Sequence, residues 1–123
     1  MSLRRVVPNI TCSRLDESRK FYTDFLGFHV AMDLGWIVTL VSPSNSTAQI
    51  SLVRGEPSEP VNQNITVSIE VADVDELHAR AVASAYNITY PLTTEQWGVR
   101  RFHVTDPNGV TLNVMSHRNE NTA

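Results

Sequence analysis

The amino-acid sequence predicts an α+β fold of two βαβββ modules, at about residues 4–53 and 64–116, joined by a linker at residues 54–63. Three observations support this prediction. The order of one strand, one helix and three strands occurs twice along the chain, which indicates an internal duplication. The strands of both halves alternate polar and apolar side chains, as in sheets with one buried face. The length of 123 residues is that of a single domain with a real core.

The first module begins with a predicted strand at residues 4–12, in which Pro8 marks an edge, a start or a bulge because proline cannot donate a ladder hydrogen bond. Ser13 and Asp16 have the spacing of a capping box, which predicts that a helix starts at Ser13. Gly27 supplies a left-handed stop for this helix. Its inward stripe consists of Leu15, Ser18, Phe21, Tyr22, Phe25 and Leu26. Further strands are expected at residues 28–32, 36–42 and 47–53.

The second module repeats this order. A strand is expected at residues 64–71, and Asp73 caps a helix that extends to Ala85. The side chains expected to face inward from this helix are Val74, Leu77, Ala81 and Ala85. Three more strands are expected at residues 88–92, 100–105 and 110–115. The tail at residues 116–123 is expected to fray.

The last two strands form a predicted β-hairpin, connected by a turn at residues 106–109. Pro107 presets φ in this turn, and Asn108 and Gly109 tolerate positive φ. The side chains that alternate onto the apolar face of the hairpin are Phe102, Val104, Leu112 and Val114. The mostly polar parity consists of Arg101, His103, Thr111, Asn113 and Met115.

The composition argues against several classes of partner. The net charge is −3 and the densest cationic patches are single arginine pairs, so nucleic acid is not an expected partner. The single cysteine, Cys12, excludes an internal disulfide and a zinc knuckle. No apolar run approaches the roughly 18 residues of a membrane span, and no signal-peptide core is present. We therefore expect no membrane partner and a cytoplasmic location.

Three motifs resemble one known family. Residues 21–28 have the pattern FY-x-x-x-LGF, residues 69–77 resemble the opening of a second module, and residues 97–109 have the pattern W-G-x-R-x-F-x-V-x-D-P-x-G. These motifs resemble the glyoxalase/bleomycin-resistance/extradiol-dioxygenase (vicinal oxygen chelate) superfamily, in register over residues 5 to 116. The resemblance implies two modules whose curved sheets form an open barrel, usually completed in a homodimer. The motifs are mostly structural, so they specify the scaffold and leave the chemistry open.

Metal-dependent members of this superfamily present His, Gln or Glu ligands to one divalent ion. The resemblance places the four ligand positions on Val7, Ser51, Thr66 and Asn113. None of the first three is a useful ligand for a catalytic ion, and neutral Asn113 replaces a glutamate. A register slip of one residue would turn every side chain to the wrong face, so it does not rescue the site. We therefore predict no metal site and no cofactor.

A polar, mostly neutral cavity lining is expected in place of a metal centre. The parity that places Thr66 and Asn113 inward gives a lining of Val7, Asn9, Thr11, Gln49, Ser51, Thr66, Ser68, Arg101, His103, Asn113 and Met115. The opposite parity, expected to pack on the helices, consists of Ile10, Cys12, Ile50, Leu52, Val67, Ile69, Phe102, Val104, Leu112 and Val114. The aromatic residues near strand ends are Trp36, Tyr90 and Trp97. Such a surface suits a small, polar and partly aromatic ligand.

Several of these residues have a structural interpretation beside the functional one. Arg101 is either a pocket residue or a solvated strand residue, and Trp97 either stacks on a ligand or caps the barrel. His103 is the one histidine on the inward parity, and it is a candidate for proton transfer. Glu70 is a second candidate general base, or a surface carboxylate. The histidines expected to be solvated are His29, His78 and His117.

The sequence favours a metal-free protein that binds a small molecule, similar to the antibiotic-sequestering resistance proteins of the superfamily. The alternative is a glyoxalase-like lyase or isomerase, or a dioxygenase, acting on a small polar substrate through His103 or Glu70. A third reading is a ligand-sensing or scaffold module. No Ser-His-acid constellation is visible, although Ser51 and Ser68 could approach His103.

Overall fold

The computed structural model describes residues 2–56 and 65–117. The chain divides into two compact units, Met1–Asn62 and Gln63–Ala123. Each unit contains one helical region and a four-stranded mixed sheet, which confirms the predicted fold class of two βαβββ modules. The predicted linker, residues 54–63, and the tail beyond residue 117 lie mostly or entirely outside the described residues.

The first unit begins with a strand that is shorter than predicted. Its elements are β1 (Asn9–Cys12), α1 (Leu15–Lys20) with a π-helical continuation (Phe21–Phe25), β2 (His29–Asp33), β3 (Ile37–Ser42) and β4 (Asn45–Arg54). The strand order is β1-β4-β3-β2, with β1 parallel to β4. Pro8 lies directly before β1, where its carbonyl accepts a hydrogen bond from the Ser51 amide (2.9 Å). Upstream of it, only an isolated bridge between Val6 and Ala48 remains.

The start of α1 differs from the predicted capping box. The N-cap is Arg14, with no side-chain capping hydrogen bond, so the assignment of Ser13 as the cap is wrong. Acidic Asp16 and Glu17 lie in the first turn, where their charge complements the helix dipole. At the other end Gly27 has φ of 81°, which confirms the predicted left-handed stop.

The core of the first unit lies between the helical region and one face of the sheet. Tyr22 and Phe21 pack edge to face with ring centroids 5.2 Å apart. The buried apolar side chains on the sheet are Ile10, Cys12, Val38, Leu40, Ile50 and Leu52. Those of the helical region are Leu15, Phe21, Tyr22 and Phe25. Burial of this apolar surface is the main stabilising contribution to the unit.

The second unit has the same topology. Its elements are β5 (Thr66–Glu70), α2 (Val74–Ala83), β6 (Ile88–Thr94), β7 (Val99–Thr105) and β8 (Thr111–His117), in the order β5-β8-β7-β6. The Asp73 carboxylate accepts from the Glu76 amide at 3.1 Å, which confirms it as the N-cap of α2. Ala85 was expected to face inward, but it is exposed with φ of 57° because the chain leaves the helix there.

The end of β8 is ordered by hydrogen bonds, in contrast to the predicted fraying from residue 116. The Ser116 hydroxyl donates to the Val71 carbonyl (2.7 Å) and accepts from the Val74 amide (3.1 Å). These bonds join the end of β8 to the start of α2. His78 on α2 is also half-buried, with its ring 5.1 Å from that of Phe102, so the expectation that it is solvated is wrong.

The turn of the β7–β8 hairpin agrees with its prediction. Asp106 is buried, and its carboxylate accepts from the amides of Asn108 (2.8 Å) and Val110 (2.9 Å). Gly109 has φ of 85°, a conformation that suits glycine. Within residues 2–56 and 65–117, neither helix has the length and apolar content that a membrane span requires.

Candidate functional site

The burial pattern agrees with the predicted sorting of the two sheet faces. Eight of the ten residues on the predicted core parity are at most 3% exposed: Ile10, Cys12, Ile50, Leu52, Phe102, Val104, Leu112 and Val114. Val67 and Ile69 are only half-buried, because β5 is an edge strand. The polar parity therefore occupies the other face of each sheet.

The polar face of the first unit contains a groove of about 360 Å³. It is lined by Arg5, Val7, Asn9, Ala31, Met32, Thr39, Gln49 and Ser51. Three predicted ligand-binding residues, Asn9, Gln49 and Ser51, thus lie together in one place. Asn9 and Ser51 are register partners of the parallel β1–β4 pair, and this pairing brings them together.

Hydrogen bonds hold several groove side chains in position. The hydroxyls of Thr39 and Ser51 lie 2.8 Å apart, and Ser51 is only 4% exposed. The Gln49 amide donates from Nε2 to the Ser46 carbonyl (2.8 Å), and its Oε1 accepts from Nη1 of Arg5. The groove is therefore bordered by oriented polar groups.

Sequence reasoning missed four groove residues, namely Arg5, Ala31, Met32 and Thr39. Thr39 was detectable, because it lies on the antiparallel neighbour of β4 directly opposite Ser51. Arg5 was detectable as well, because it lies in the strand predicted at residues 4–12 on the same parity as Val7 and Asn9, although the regular part of β1 begins only at Asn9. Trp36, in contrast, was predicted to bind ligand but does not line the groove; it lies 57% exposed in the turn before β3.

The polar face of the second unit contains a charged aromatic cluster. The guanidinium carbon of Arg101 lies 5.1 Å from the ring centroid of Tyr90 and 5.5 Å from that of Trp97. Nε of Arg101 donates to Oε2 of Glu95 (2.8 Å), and the Tyr90 hydroxyl donates to the same oxygen (2.9 Å). We call Tyr90, Glu95, Trp97 and Arg101 the Arg101 cluster.

The electrostatics of the Arg101 cluster favour its charged state. The hydrogen bond from Tyr90 lowers the pKa of Glu95, and the adjacent Arg101 lowers it further. Glu95 in turn raises the pKa of Arg101. Sequence analysis missed Glu95, which lies in the connection between β6 and β7. Since Arg101 is paired, it is a positioned residue and not a solvated one.

His103 lies beside this cluster and opposite Asn113 in the β7–β8 pair. Its ring centroid is 5.0 Å from that of Tyr90. Burial lowers the pKa of His103, and the charge of Arg101 lowers it further. Nε2 of His103 and Oδ1 of Asn113 are buried and have no hydrogen-bond partner among the described residues, while Nδ2 of Asn113 donates to the Ser68 hydroxyl (3.1 Å).

The remaining predicted residues of the second unit lie on β8 and on the edge strand β5. Met115 is the register partner of Arg101, and Thr66 is exposed on the edge strand β5. Glu70 ends β5 as an exposed carboxylate, with Oε2 at 2.7 Å from Nδ1 of His117. Glu70 therefore lies in an exposed hydrogen-bonded pair with His117 and not in an enclosed proton-transfer site.

The residues at the family's four metal-ligand positions do not fit a divalent ion. Val7 offers only methyl groups, Ser51 is bonded to Thr39, and Thr66 is an exposed hydroxyl. The Asn113 amide group donates to Ser68. In the part of the chain that the structure describes, no group of three or more His, Cys, Asp or Glu residues is placed to hold an ion. Divalent metals require carboxylate, imidazole or thiolate donors that these positions lack.

The duplicated βαβββ architecture and these polar sheet faces place the chain in a known class. Its residues 3–114 match the model of the Glyoxalase/Bleomycin resistance protein/Dioxygenase superfamily, and the chain belongs to this family. No curated protein sequence matches the chain.

Solved structures with the same fold include TioX from Micromonospora sp. ML1, with 22% identity, a TM-score of 0.76, and coverage of 93% of this chain and 98% of that one. A superfamily member from Sphaerobacter thermophilus DSM 20745 has 22% identity, a TM-score of 0.77, and coverage of 94% and 98%. A bleomycin resistance determinant encoded on the transposon Tn5 has 17% identity, a TM-score of 0.74, and coverage of 96% and 99%. At these identities the likeness shows the fold alone.

Proposed function

We propose that this protein binds a small, polar and partly aromatic molecule on the polar faces of its sheets, with no metal ion and no chemical conversion of the ligand. The groove of the first unit carries this proposal, because its volume of about 360 Å³ is typical of small-molecule sites. Val7 and Ser51 line it, at two positions where metal-dependent members carry ligands. Its hydroxyl and amide groups can hold an organic molecule by hydrogen bonds, but they cannot anchor an ion.

The second unit supports the aromatic part of the proposal. Trp97 is 66% exposed, and the paired guanidinium of Arg101 lies over its ring. An exposed aromatic face that is held in place can stack on a planar ligand. The fold shared with a bleomycin resistance determinant is consistent with a sequestering role, in which a compound is held in a groove and released unchanged.

The alternative is a lyase, isomerase or dioxygenase that transfers a proton through His103 or Glu70. A general base must lie within hydrogen-bond reach of the proton it removes. Nε2 of His103 is buried, and Glu70 is exposed and bonded to His117. These observations favour binding over proton transfer.

The proposal also includes a cytoplasmic location and, as the family resemblance implies, a homodimer. Analytical ultracentrifugation of the purified protein measures this directly. A sedimenting mass of one chain at micromolar concentration would contradict the dimer and leave the binding proposal in place.

The test of binding is a melting-temperature screen of chelator-treated protein against small polar and aromatic compounds. We expect at least one compound to stabilise the protein without an ion, by about 2.7 kcal/mol at 100 times its Kd. The screen is then repeated with Zn²⁺, Ni²⁺, Mn²⁺ and Fe²⁺. A stoichiometric ion in the protein as purified, or product formation that requires one, would overturn the proposal.

A further inference from the structure

We infer that the groove of the first unit takes an amphipathic carboxylate, with the anionic group against Arg5 and the apolar body against the aliphatic side chains of the lining. This inference rests on the proposed function, since it names the class of ligand for the same groove. Three features of the groove carry it: the charge of the lining, the hydrogen-bonding groups that remain available, and the position of the apolar side chains.

The charge of the groove is positive. Within residues 2–56 and 65–117, Arg5 is the one charged side chain of the lining, and the lining includes no acidic side chain. Its guanidinium donates to the neutral amide of Gln49. None of the ion pairs in the described part of the chain involves Arg5. A planar guanidinium with five N–H donors matches the geometry of a carboxylate.

The groups left for a ligand are mostly donors. Both ends of the Gln49 amide are engaged, one with Arg5 and the other with Ser46. Only one hydrogen can occupy the 2.8 Å contact between the hydroxyls of Thr39 and Ser51, so the second hydroxyl hydrogen is available to donate. A ligand that presents acceptors therefore complements the groove better than one that presents donors.

Asn9 is the other polar residue of the lining, and its amide offers both a donor and an acceptor. The rest of the lining is apolar. Val7, Ala31 and Met32 contribute aliphatic surface to the groove, and Met32 is 41% exposed. A methionine side chain adapts to ligands of different shape because it is unbranched and polarizable. A molecule with an acidic group and an apolar body thus complements both the donor groups and this wall.

The second unit shows the contrasting arrangement. There the charge of Arg101 is paired with Glu95 at 2.8 Å, and a carboxylate ligand would have to compete with that internal carboxylate. Arg5 has no such competitor among the lining residues. We therefore expect the anion at the first unit.

The test uses three probes in isothermal titration calorimetry: phenylacetate, its neutral isostere phenylacetamide, and acetate, which lacks the apolar body. We expect phenylacetate to bind at least about tenfold more tightly than phenylacetamide, because a charge-assisted hydrogen bond is about twice as strong as a neutral one. We expect a similar margin over acetate, because acetate has no apolar body to bury against the aliphatic lining. Arg5→Gln should lower the affinity for phenylacetate at least about tenfold. Arg5→Lys should have an intermediate effect, since it keeps the charge but loses the planar fork.

The matched control is Arg4→Gln, which removes an adjacent arginine that does not line the groove and should leave affinity unchanged. Arg5 is exposed, so its variants should keep the wild-type melting temperature. Equal affinity for phenylacetate and phenylacetamide, or unchanged affinity in Arg5→Gln, would overturn the inference while binding itself stands. Failure of phenylacetate alone, with other compounds of the screen still binding, would also overturn it. If no compound binds at all, the proposed function fails as well.

Discussion

The two units place different chemistry at equivalent positions of the same scaffold. In the first unit, Ser51 on β4 lies opposite Thr39 on β3, and their hydroxyls are hydrogen-bonded at 2.8 Å. In the second unit, Asn113 on β8 lies opposite His103 on β7, and two of their buried polar atoms have no partner among the described residues. The strand pairing is the same in both units, so the difference lies in the side chains.

The arginines differ in the same way. Arg5 in the first unit is bonded to a neutral amide, whereas Arg101 in the second is bonded to a carboxylate and lies close to two aromatic rings. The duplicated backbone thus provides two polar faces with different side-chain contacts. One keeps donors available at a groove, and the other is stabilised by its own ion pair. This contrast shows how one scaffold supports different sites.

The prediction with the largest expected effect compares the apolar cores of the two units. Phe102 and Val38 occupy matching positions, opposite Val114 and Leu52, and both are buried. Phe102→Ala should lower the free energy of unfolding by about 3–5 kcal/mol, because it leaves a cavity under α2. Val38→Ala removes less volume and should cost about 2 kcal/mol. Urea unfolding measures both; a near-normal midpoint for Phe102→Ala would mean that the sheet faces are assigned the wrong way round.

The next effect is pH dependence, expected from the second unit. The pKa of His103 is lowered, so the folded protein keeps its imidazole neutral while the unfolded chain takes up a proton near the ordinary pKa of about 6.5. The unfolded state then binds more protons, and stability should fall as the pH drops below about 6.5 until the lowered pKa is reached. The slope is at most about 1.4 kcal/mol per pH unit for one proton.

The comparison that isolates this effect is His103→Gln against His29→Gln, since His29 is exposed on β2. His103→Gln should flatten the dependence between pH 6.5 and 5, measured by urea unfolding in steps of about half a pH unit. An unchanged slope in His103→Gln would show that another group produces it.

A second loss of stability is expected below the usual pKa of glutamate, near 4.3, as Glu95, whose pKa is lowered, becomes protonated.

The smallest effect concerns the two helix starts. Asp73 caps α2 with its carboxylate, whereas Arg14 at the start of α1 has no side-chain capping bond. Asp73→Ala should destabilise the protein by about 1 kcal/mol, and Arg14→Asp should stabilise it by up to a similar amount, because it supplies the missing acceptor. Thermal unfolding at pH 7 measures both changes. Effects of the same sign in the two variants would contradict this account.

Much of the scaffold could be predicted from the sequence. Alternation along the strands identified the buried parity, because successive side chains of a strand point to opposite faces. The turn at Asp106 and the stop at Gly27 follow from local backbone preferences. The predicted cap of α1, Ser13, lies one residue before the observed N-cap, Arg14. The spacing of Ser13 and Asp16 matches a capping box, but this spacing does not fix the backbone conformation that an N-cap residue must also adopt.

The site was predicted only in part. Asn9, Gln49 and Ser51 lie on regular strands, so the alternation selected them. Arg5 shares the inward parity of the strand predicted at residues 4–12, but it was not selected. Glu95 lies in the connection between β6 and β7, where a periodic pattern carries no information. Trp36 was predicted to bind ligand because it is an aromatic residue near a strand end. It is exposed in a turn, and it does not line the groove.

The sequence by itself determined the two modules, the core face of each sheet and the neutral residues at the family's metal positions. These properties depend on residue type and on a period of two, both of which are local. The tertiary structure alone decided which side chains gather in the groove, that Arg5 has no acidic partner among the described residues, and that Arg101 has one. The groove joins residues distant in sequence, such as Arg5 and Gln49, whereas Arg101 and Glu95 are 6 residues apart. Both arrangements follow from strand register and loop paths that no local pattern specifies.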